Sequence, residues 1–206
     1  MKKDRLDKQL EFILAIDKEK NIFRQTYVSD ASRMENDAEH AWHMAVMCMI
    51  LSEYSEHPID KLKTMTMLLI HDLVEIYAGD TYAYAGVDAE EIHQREYAAA
   101  EKLYGMLPED QGIYFMNLWK EFEEGKSPEA QFARTMDRIQ PMMLNAATDG
   151  RAWKEHKVRW SQIMKRNEHT AEVSSVLWDY ALKHFVMPHV ESGEIIDDET
   201  HSAGLK

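Results

Sequence analysis

Cysteine is almost absent from this chain. The single one, Cys48, cannot form an internal disulfide, and its setting in Met47-Cys48-Met49 suits a buried thiol in a reducing compartment. Long apolar runs are also missing. The longest, Met44 to Leu51, falls well short of the roughly 20 residues that cross a bilayer. The start, Met-Lys-Lys-Asp-Arg, has no apolar signal core, so a cytoplasmic location is expected. Positive charge is in deficit: 24 Lys and Arg stand against 37 Asp and Glu, a net charge of −13 over 206 residues. A nucleic-acid polymer needs a basic face, so such a partner is excluded, whereas a small phosphorylated molecule can be met locally by an arginine or a bound cation. Glycine (8) and proline (5) are scarce, and no glycine-rich phosphate loop occurs.

What is present is a helical pattern. Apolar residues recur at threes and fours, and no segment alternates for long, so the expected fold class is all-α, a single-domain helical bundle. The first helix spans about 4–19, with Leu6, Leu10, Ile13 and Leu14 along one stripe. Residues 20–36 read as irregular. Helices follow over about 37–56 and 60–78, the latter capped by Asp60 and stopped at Gly79. A loop at 80–87 leads to a helix that starts at Asp88 and ends near 106. The next begins at Pro108, and another at Ser127-Pro128-Glu129, a cap, a first-turn proline and an acid in sequence. This last helix reaches about 148, and Pro141 within it is expected to kink it and tilt Asp137. Two more helices, 151–167 and 169–187, complete residues 1–190. An acidic, loose tail is expected over 191–206.

Three of these helices carry polar residues where the pattern calls for apolar ones. His71-Asp72 interrupts Met65-Thr-Met-Leu-Leu-Ile, His40 precedes Ala41-Trp-His-Met-Ala-Val, and Asp137 sits in Phe132-Ala-Arg-Thr-Met. A buried carboxylate is costly unless it is paired or bound to a metal. Taken singly, each is more simply a hydrogen-bonded core residue. Taken together, two imidazoles and two carboxylates form a mixed nitrogen and oxygen set suited to a borderline divalent ion. Glu75 lies four residues after His71, on the same face of a continuous helix, where it can move a proton. Asp80 lies just past the end of that helix, at the rim of a pocket, and Arg24 or Arg33 can pair with a phosphate. For these four the plain alternatives are exposed helix-end acids and surface ion pairs. His57, His156, His169, His184, His189 and His201 read as surface residues, and His43 as packing beside Trp42.

The order His40, His71-Asp72, Asp137, with 31 residues from His40 to His71 and 65 from Asp72 to Asp137, resembles the signature of the HD-domain metal-dependent phosphohydrolases. The flanking text Ala38-Glu-His-Ala-Trp-His43, Leu69-Ile-His-Asp-Leu-Val-Glu75, Ala78-Gly-Asp80, Leu118-Trp-Lys-Glu-Phe-Glu123 and Ser127-Pro-Glu-Ala130 is similar to the bacterial 5′-deoxynucleotidases and their eukaryotic relatives. The resemblance covers about residues 5–180. It implies one divalent ion (Mn, Co, Fe, Ni, Zn or Mg) on His40, His71, Asp72 and Asp137, and hydrolysis of (deoxy)nucleoside 5′-monophosphates. It also implies catalytic roles for Glu75 and Asp80, a phosphate contact from Arg24 or else Arg33, and a homodimer. Gln25 follows Arg24 where those enzymes carry a tryptophan, which bears on the sugar and base contacts. A phosphodiesterase or pyrophosphohydrolase on the same residues, or a non-catalytic nucleotide-binding regulator, are the competing expectations.

Overall fold

The computed structural model describes residues 4–79 and 89–199, and the loop expected at 80–87, with Asp80, Tyr82, Tyr84 and the Asp88 cap, lies outside them. Helices make up most of the described chain. α1 (Arg5–Ile16) starts at a reciprocal cap, in which Asp7 N donates to Asp4 Oδ1 at 2.7 Å and Asp4 N to Asp7 Oδ2 at 3.3 Å. Its Leu6, Leu10, Ile13 and Leu14 face outward, each more than half exposed, while Phe12 and Ala15 turn inward. The apolar stripe seen in the sequence is therefore a surface.

The stretch expected to be irregular contains a short antiparallel ribbon, β1 (Phe23–Tyr27) and β2 (Met34–Asn36). Its tight end is held by Val28 N to Arg33 O at 3.0 Å and Ala31 N to Val28 O at 2.8 Å, with Ala31 in the left-handed region at φ 58°. Asn36 then caps α2 (Asp37–Leu51): its side chain accepts from Glu39 N, and the Glu39 carboxylate accepts from Asn36 N. The ribbon thereby fixes where α2 begins.

α3 (Lys61–Ile70) starts at Asp60 as expected, with Lys63 N donating to Asp60 Oδ1. The expected single helix to 78 is instead three pieces. His71–Val74 winds more tightly as a 3₁₀ turn, and α4 (Glu75–Ala78) follows. The buried Tyr104 hydroxyl explains the change, because it donates to Ile70 O at 2.9 Å at the junction of α3 with that turn.

α5 (Ala89–Tyr104) and α6 (Glu109–Glu124) follow. α6 ends at Gly125, whose φ of +61° no L side chain adopts easily and where a Cβ would lie 2.7 Å from Arg134 Nη1. α7 (Pro128–Ala147) is capped by Ser127 as read from the sequence. It continues through Pro141 as one helix, and Asp137 projects from its middle, one turn before the proline.

α2, α3 and α7 pack against one another and form the middle of the molecule. Met44, Met67, Leu68, Phe132 and Met136 are fully buried there, with Leu103, Tyr104 and Trp119 closing the far side. Each such side chain contributes about 1.5–3 kcal/mol.

The C-terminal part is more broken than expected: α8 (Arg151–Glu155), α9 (Trp160–Arg166), α10 (Thr170–Val173), α11 (Ser175–Ala181) and α12 (Met187–Glu191), with a π turn over Leu182–Val186. Pro188 lies inside the first turn of α12 rather than ending a helix. The stretch expected to be loose is fastened as far as Asp198. Ile195 is buried, Trp160 N donates to Ile196 O and Ile196 N to Val158 O, and Ser161 Oγ donates to Asp198 Oδ2 at 2.6 Å. No described helix is long and apolar enough to cross a membrane.

Candidate metal centre

Each of the three central helices delivers one part of a polar cluster into the core. α2 brings His40 on its first turn, the 3₁₀ turn brings His71 and Asp72, and α7 brings Asp137. One ligand atom from each of His40, His71 and Asp72 lies within 4.8 Å of the others. Asp137 joins them, with Oδ1 3.2 Å from His40 Nε2 and 4.0 Å from His71 Nε2. His71 Nε2 is 3.1 Å from Asp72 Oδ2. Ligand atoms that share an ion at roughly 2.1 Å sit about 3–4.2 Å apart, so these separations suit one cation.

Both imidazoles are held by their other nitrogen. His71 Nδ1 donates to Leu68 O at 2.9 Å, which turns Nε2 into the cluster. That Nε2 is buried and has no hydrogen-bond partner among the described residues. His40 Nδ1 lies 2.9 Å from Gln140 Oε1. The Gln140 amide nitrogen meets Glu35 Oε1 at 2.7 Å and His43 Nδ1 at 3.2 Å, so the amide oxygen must be the side facing His40. His40 therefore carries its proton on Nδ1 and offers Nε2 to the cluster, an arrangement typical of a metal-bound histidine with an outer partner. The orphaned Nε2 of His71 and this fixed tautomer both fit a metal ion.

The charge balance agrees. Asp37 is fully buried, and Glu35 and Glu19 are nearly so, beside Asp72 and Asp137. Arg24, on β1, faces this group: Nη1 is 2.8 Å from Asp72 Oδ2 and 3.2 Å from Asp37 Oδ1, and Nη2 is 4.0 Å from Asp137 Oδ1. Burial works against the charged His71 ring, but Asp72 and then Asp137 outweigh it and hold its pKa up at about 9. Burial equally opposes the Asp72 carboxylate, yet His71 and Arg24 keep it well below the usual range. Glu19 goes the other way: burial first, then Asp72 and Asp37, push it up to about 7. The cluster thus gathers buried carboxylates that Arg24 and a protonated His71 offset here, a charge that a divalent cation would meet in place of the proton.

A cavity of about 220 Å³ opens onto His71, Asp72 and Asp137. Glu75 lines it, as do Glu96, Glu123, Arg134, Arg138 and Arg166. Glu75 follows a 3₁₀ turn, so it does not share a helix face with His71 as the sequence suggested, but both border the same space. Burial, then Glu123, holds the Glu96 carboxyl up at about 7. Burial, then Arg134 and Arg166, holds Arg138 below its ordinary value.

The structure brings together five of the residues singled out in the sequence: Arg24, His40, His71, Asp72 and Asp137. Arg33 is not among them. Its guanidinium is half exposed and pairs with both oxygens of Glu39, at 2.8 and 2.6 Å. Asp80 lies outside the described residues. Tyr77 packs beside α5, with Lys102 Nζ 3.6 Å over its ring. His189 is half-buried against Trp153 rather than on the surface, and His43 stacks on Trp42. The sequence reading missed Glu35, Asp37, Gln140, Arg138 and Arg166. Gln140 had a signal: it falls one turn after Asp137, between the apolar Ile139 and Met142.

A family model described as HD domain matches residues 16–178. The human protein named 5′-deoxynucleotidase HDDC2 is 30% identical over 139 residues, 67% of this chain and 66% of that protein. Its Bos taurus counterpart is 32% identical over 139 residues, with the same shares. The match therefore spans about 66% of the length of these curated relatives. A crystal structure described as a predicted metal-dependent phosphohydrolase from Magnetospirillum magnetotacticum MS-1 has a TM-score of 0.86 at 41% identity and covers 93% of this chain and 95% of its own. Three helices converging on a histidine pair and two aspartates, in a chain matched along most of its length by that model and that structure, lead to one conclusion: this chain belongs to the HD domain family.

Proposed function

We propose that this chain is a metal-dependent phosphomonoesterase that converts (deoxy)nucleoside 5′-monophosphates to nucleoside and phosphate. The observation that carries the reading is the buried His40, His71, Asp72 and Asp137 cluster at the base of a polar, arginine-lined cavity. The names of the relatives, 5′-deoxynucleotidase and metal-dependent phosphohydrolase, support the substrate class and the reaction.

His40, His71, Asp72 and Asp137 would hold the ion. A divalent ion supplies positive charge to a phosphoryl oxygen and lowers the pKa of a bound water. The remaining work falls to the chain. Gln140 and the Leu68 carbonyl orient the two imidazoles. Arg24 ties Asp72 to Asp37 and sets the Asp72 rotamer. Water attacks phosphorus and the bond from phosphorus to the 5′ oxygen breaks. Glu75, bordering the cavity, takes the proton of that water and returns it to the leaving oxygen. Asp80, assigned from the sequence alone, is the acceptor for a sugar hydroxyl. Residues 1–190 form the catalytic domain, with 191–206 an acidic extension. The chain acts in the cytoplasm as a homodimer, and the outward Leu6, Leu10, Ile13 and Leu14 of α1 support that association.

The test is a panel of 5′-monophosphates, cyclic nucleotides and triphosphates assayed with Mn²⁺ or Co²⁺, alongside Asp72→Ala. Monophosphates should turn over best, and Asp72→Ala should lose at least about a hundredfold in kcat together with its bound metal. Equal or better turnover of a diester, or activity that survives Asp72→Ala, overturns the reading.

A further inference from the structure

Arg24 does not line the cavity that reaches the cluster, and its Nη1 is already shared between Asp72 and Asp37. Three other guanidiniums do line it: Arg134 and Arg138 from α7, and Arg166 from the last residue of α9. Two have partners. Arg134 Nη1 donates to Glu123 O at 2.8 Å near the end of α6, and Arg166 Nη2 donates to Asp137 Oδ2 at 3.4 Å. Arg138 makes no hydrogen bond or ion pair within reach among the described residues. A half-buried guanidinium with five donors and no acceptor, beside two like charges, is complementary to a compact polyanion that offers several oxygens.

We propose that Arg138, with Arg166 beside it, is a phosphate-binding pair that receives the dianionic phosphoryl group of a phosphate monoester from the cavity side of the cluster. The inference rests on the nucleotidase reading for the identity of the monoester, not for the anion site itself. Position favours it. Arg138 follows Asp137 on the same helix, and Arg166 touches the outer oxygen of Asp137, so an anion between them lies next to the metal cluster. Five carboxylates line the cavity, and two of them, Asp72 and Asp137, belong to the cluster that would hold the cation. Burial holds Glu96 up at about 7, which reduces its charge near neutral pH, and raises Glu123 in the same direction. The fork geometry of arginine also fits two phosphoryl oxygens at once, which a lysine cannot match.

The experiment uses the metal-loaded full chain, with inorganic phosphate titrated both calorimetrically and as an inhibitor of a 5′-monophosphate. Product nucleoside, which lacks the phosphate, is the second probe. Arg138→Ala should weaken inorganic phosphate and raise KM for the nucleotide by about 10-fold or more. It should leave nucleoside binding, metal content and melting temperature unchanged. Arg138→Lys, which keeps the charge and loses the fork, should fall between the two and guards against a folding defect in the alanine variant. Phosphate affinity within twofold of the parent in Arg138→Ala overturns the proposal, as does a loss seen only in Arg24 variants. If the parent hydrolyses no nucleotide while Arg138→Ala still loses phosphate, the anion site stands and the nucleotidase reading falls.

Discussion

Gln140 offers the sharpest test of how the cluster is held. Its amide is fully buried and joins three side chains: Oε1 faces His40 Nδ1 at 2.9 Å, and Nε2 faces Glu35 Oε1 at 2.7 Å and His43 Nδ1 at 3.2 Å. Gln140→Leu keeps nearly the same volume, so no cavity cost enters. It strips His40 Nδ1 of its acceptor and Glu35 Oε1 of its donor. The other Glu35 oxygen already lacks a hydrogen bond, so the carboxylate keeps only the longer approach of His40 Nδ1, 3.6 Å from Oε2. Each orphaned buried group costs about 1–3 kcal/mol, so the variant should lose about 2–6 kcal/mol, a large share of the 5–15 kcal/mol typical of a domain. The tautomer of His40 is then no longer fixed, and metal affinity should fall by about 10- to 100-fold. Urea unfolding measures the first quantity, and competition of Co²⁺ with a chromophoric chelator measures the second. A variant within 1 kcal/mol of the parent by this scale, and within threefold in metal affinity, refutes the relay from Glu35 through Gln140 to His40.

Other expectations follow from the same structure. Glu96 titrates near 4.5 when unfolded and at about 7 when folded, so the folded chain binds the extra proton; stability is full below about 4.5 and declines as pH rises through 7. Glu96→Gln should therefore leave urea stability of the metal-free protein unchanged at pH 4 and raise it by roughly 1–3 kcal/mol at pH 8 after allowance for solvent screening; the same gain at both pH values rules out the titration argument. Chelation should abolish hydrolysis and lower the melting temperature, with both restored by added Mn²⁺ or Co²⁺. An unchanged melting temperature on chelation would show that the buried histidines and aspartates hold no structural ion. Replacing Leu10 and Ile13 by Glu should convert a dimer to a monomer in light scattering without loss of helicity, and a parent already monomeric removes the dimer from the reading.

The cluster was legible in the sequence because apolar text betrays a buried acid. Asp72 and Asp137 stand among methionines, leucines and phenylalanine, where an unpartnered carboxylate has no place. The supporting residues were less legible. Gln140 is an ordinary helix residue until its partners are known, Glu35 belongs to a ribbon too short and polar to register as strands, and Asp37 opens a helix where an acid is an ordinary first-turn residue. Resemblance alone ranks Arg24 ahead of Arg33 in the sequence, and the pairing of Arg33 with Glu39 and of Arg24 with Asp72 separates them physically. The stripe on α1 shows the converse. Its helical spacing was read correctly, but spacing alone does not say whether a stripe faces the core of its own chain or the outside.

The tight turn over His71–Val74 has a practical consequence for anyone who would graft this site into a designed bundle. Residues wound at three per turn rise about 2.0 Å each, against 1.5 Å in an α-helix, and advance by about 120° instead of 100°. A scaffold of ideal helices could carry all four ligand letters at the right intervals and still aim the proton carrier at the wrong wall. The phenolic wedge that overwinds the backbone, Tyr104 on Ile70, has to be transplanted along with the ligands.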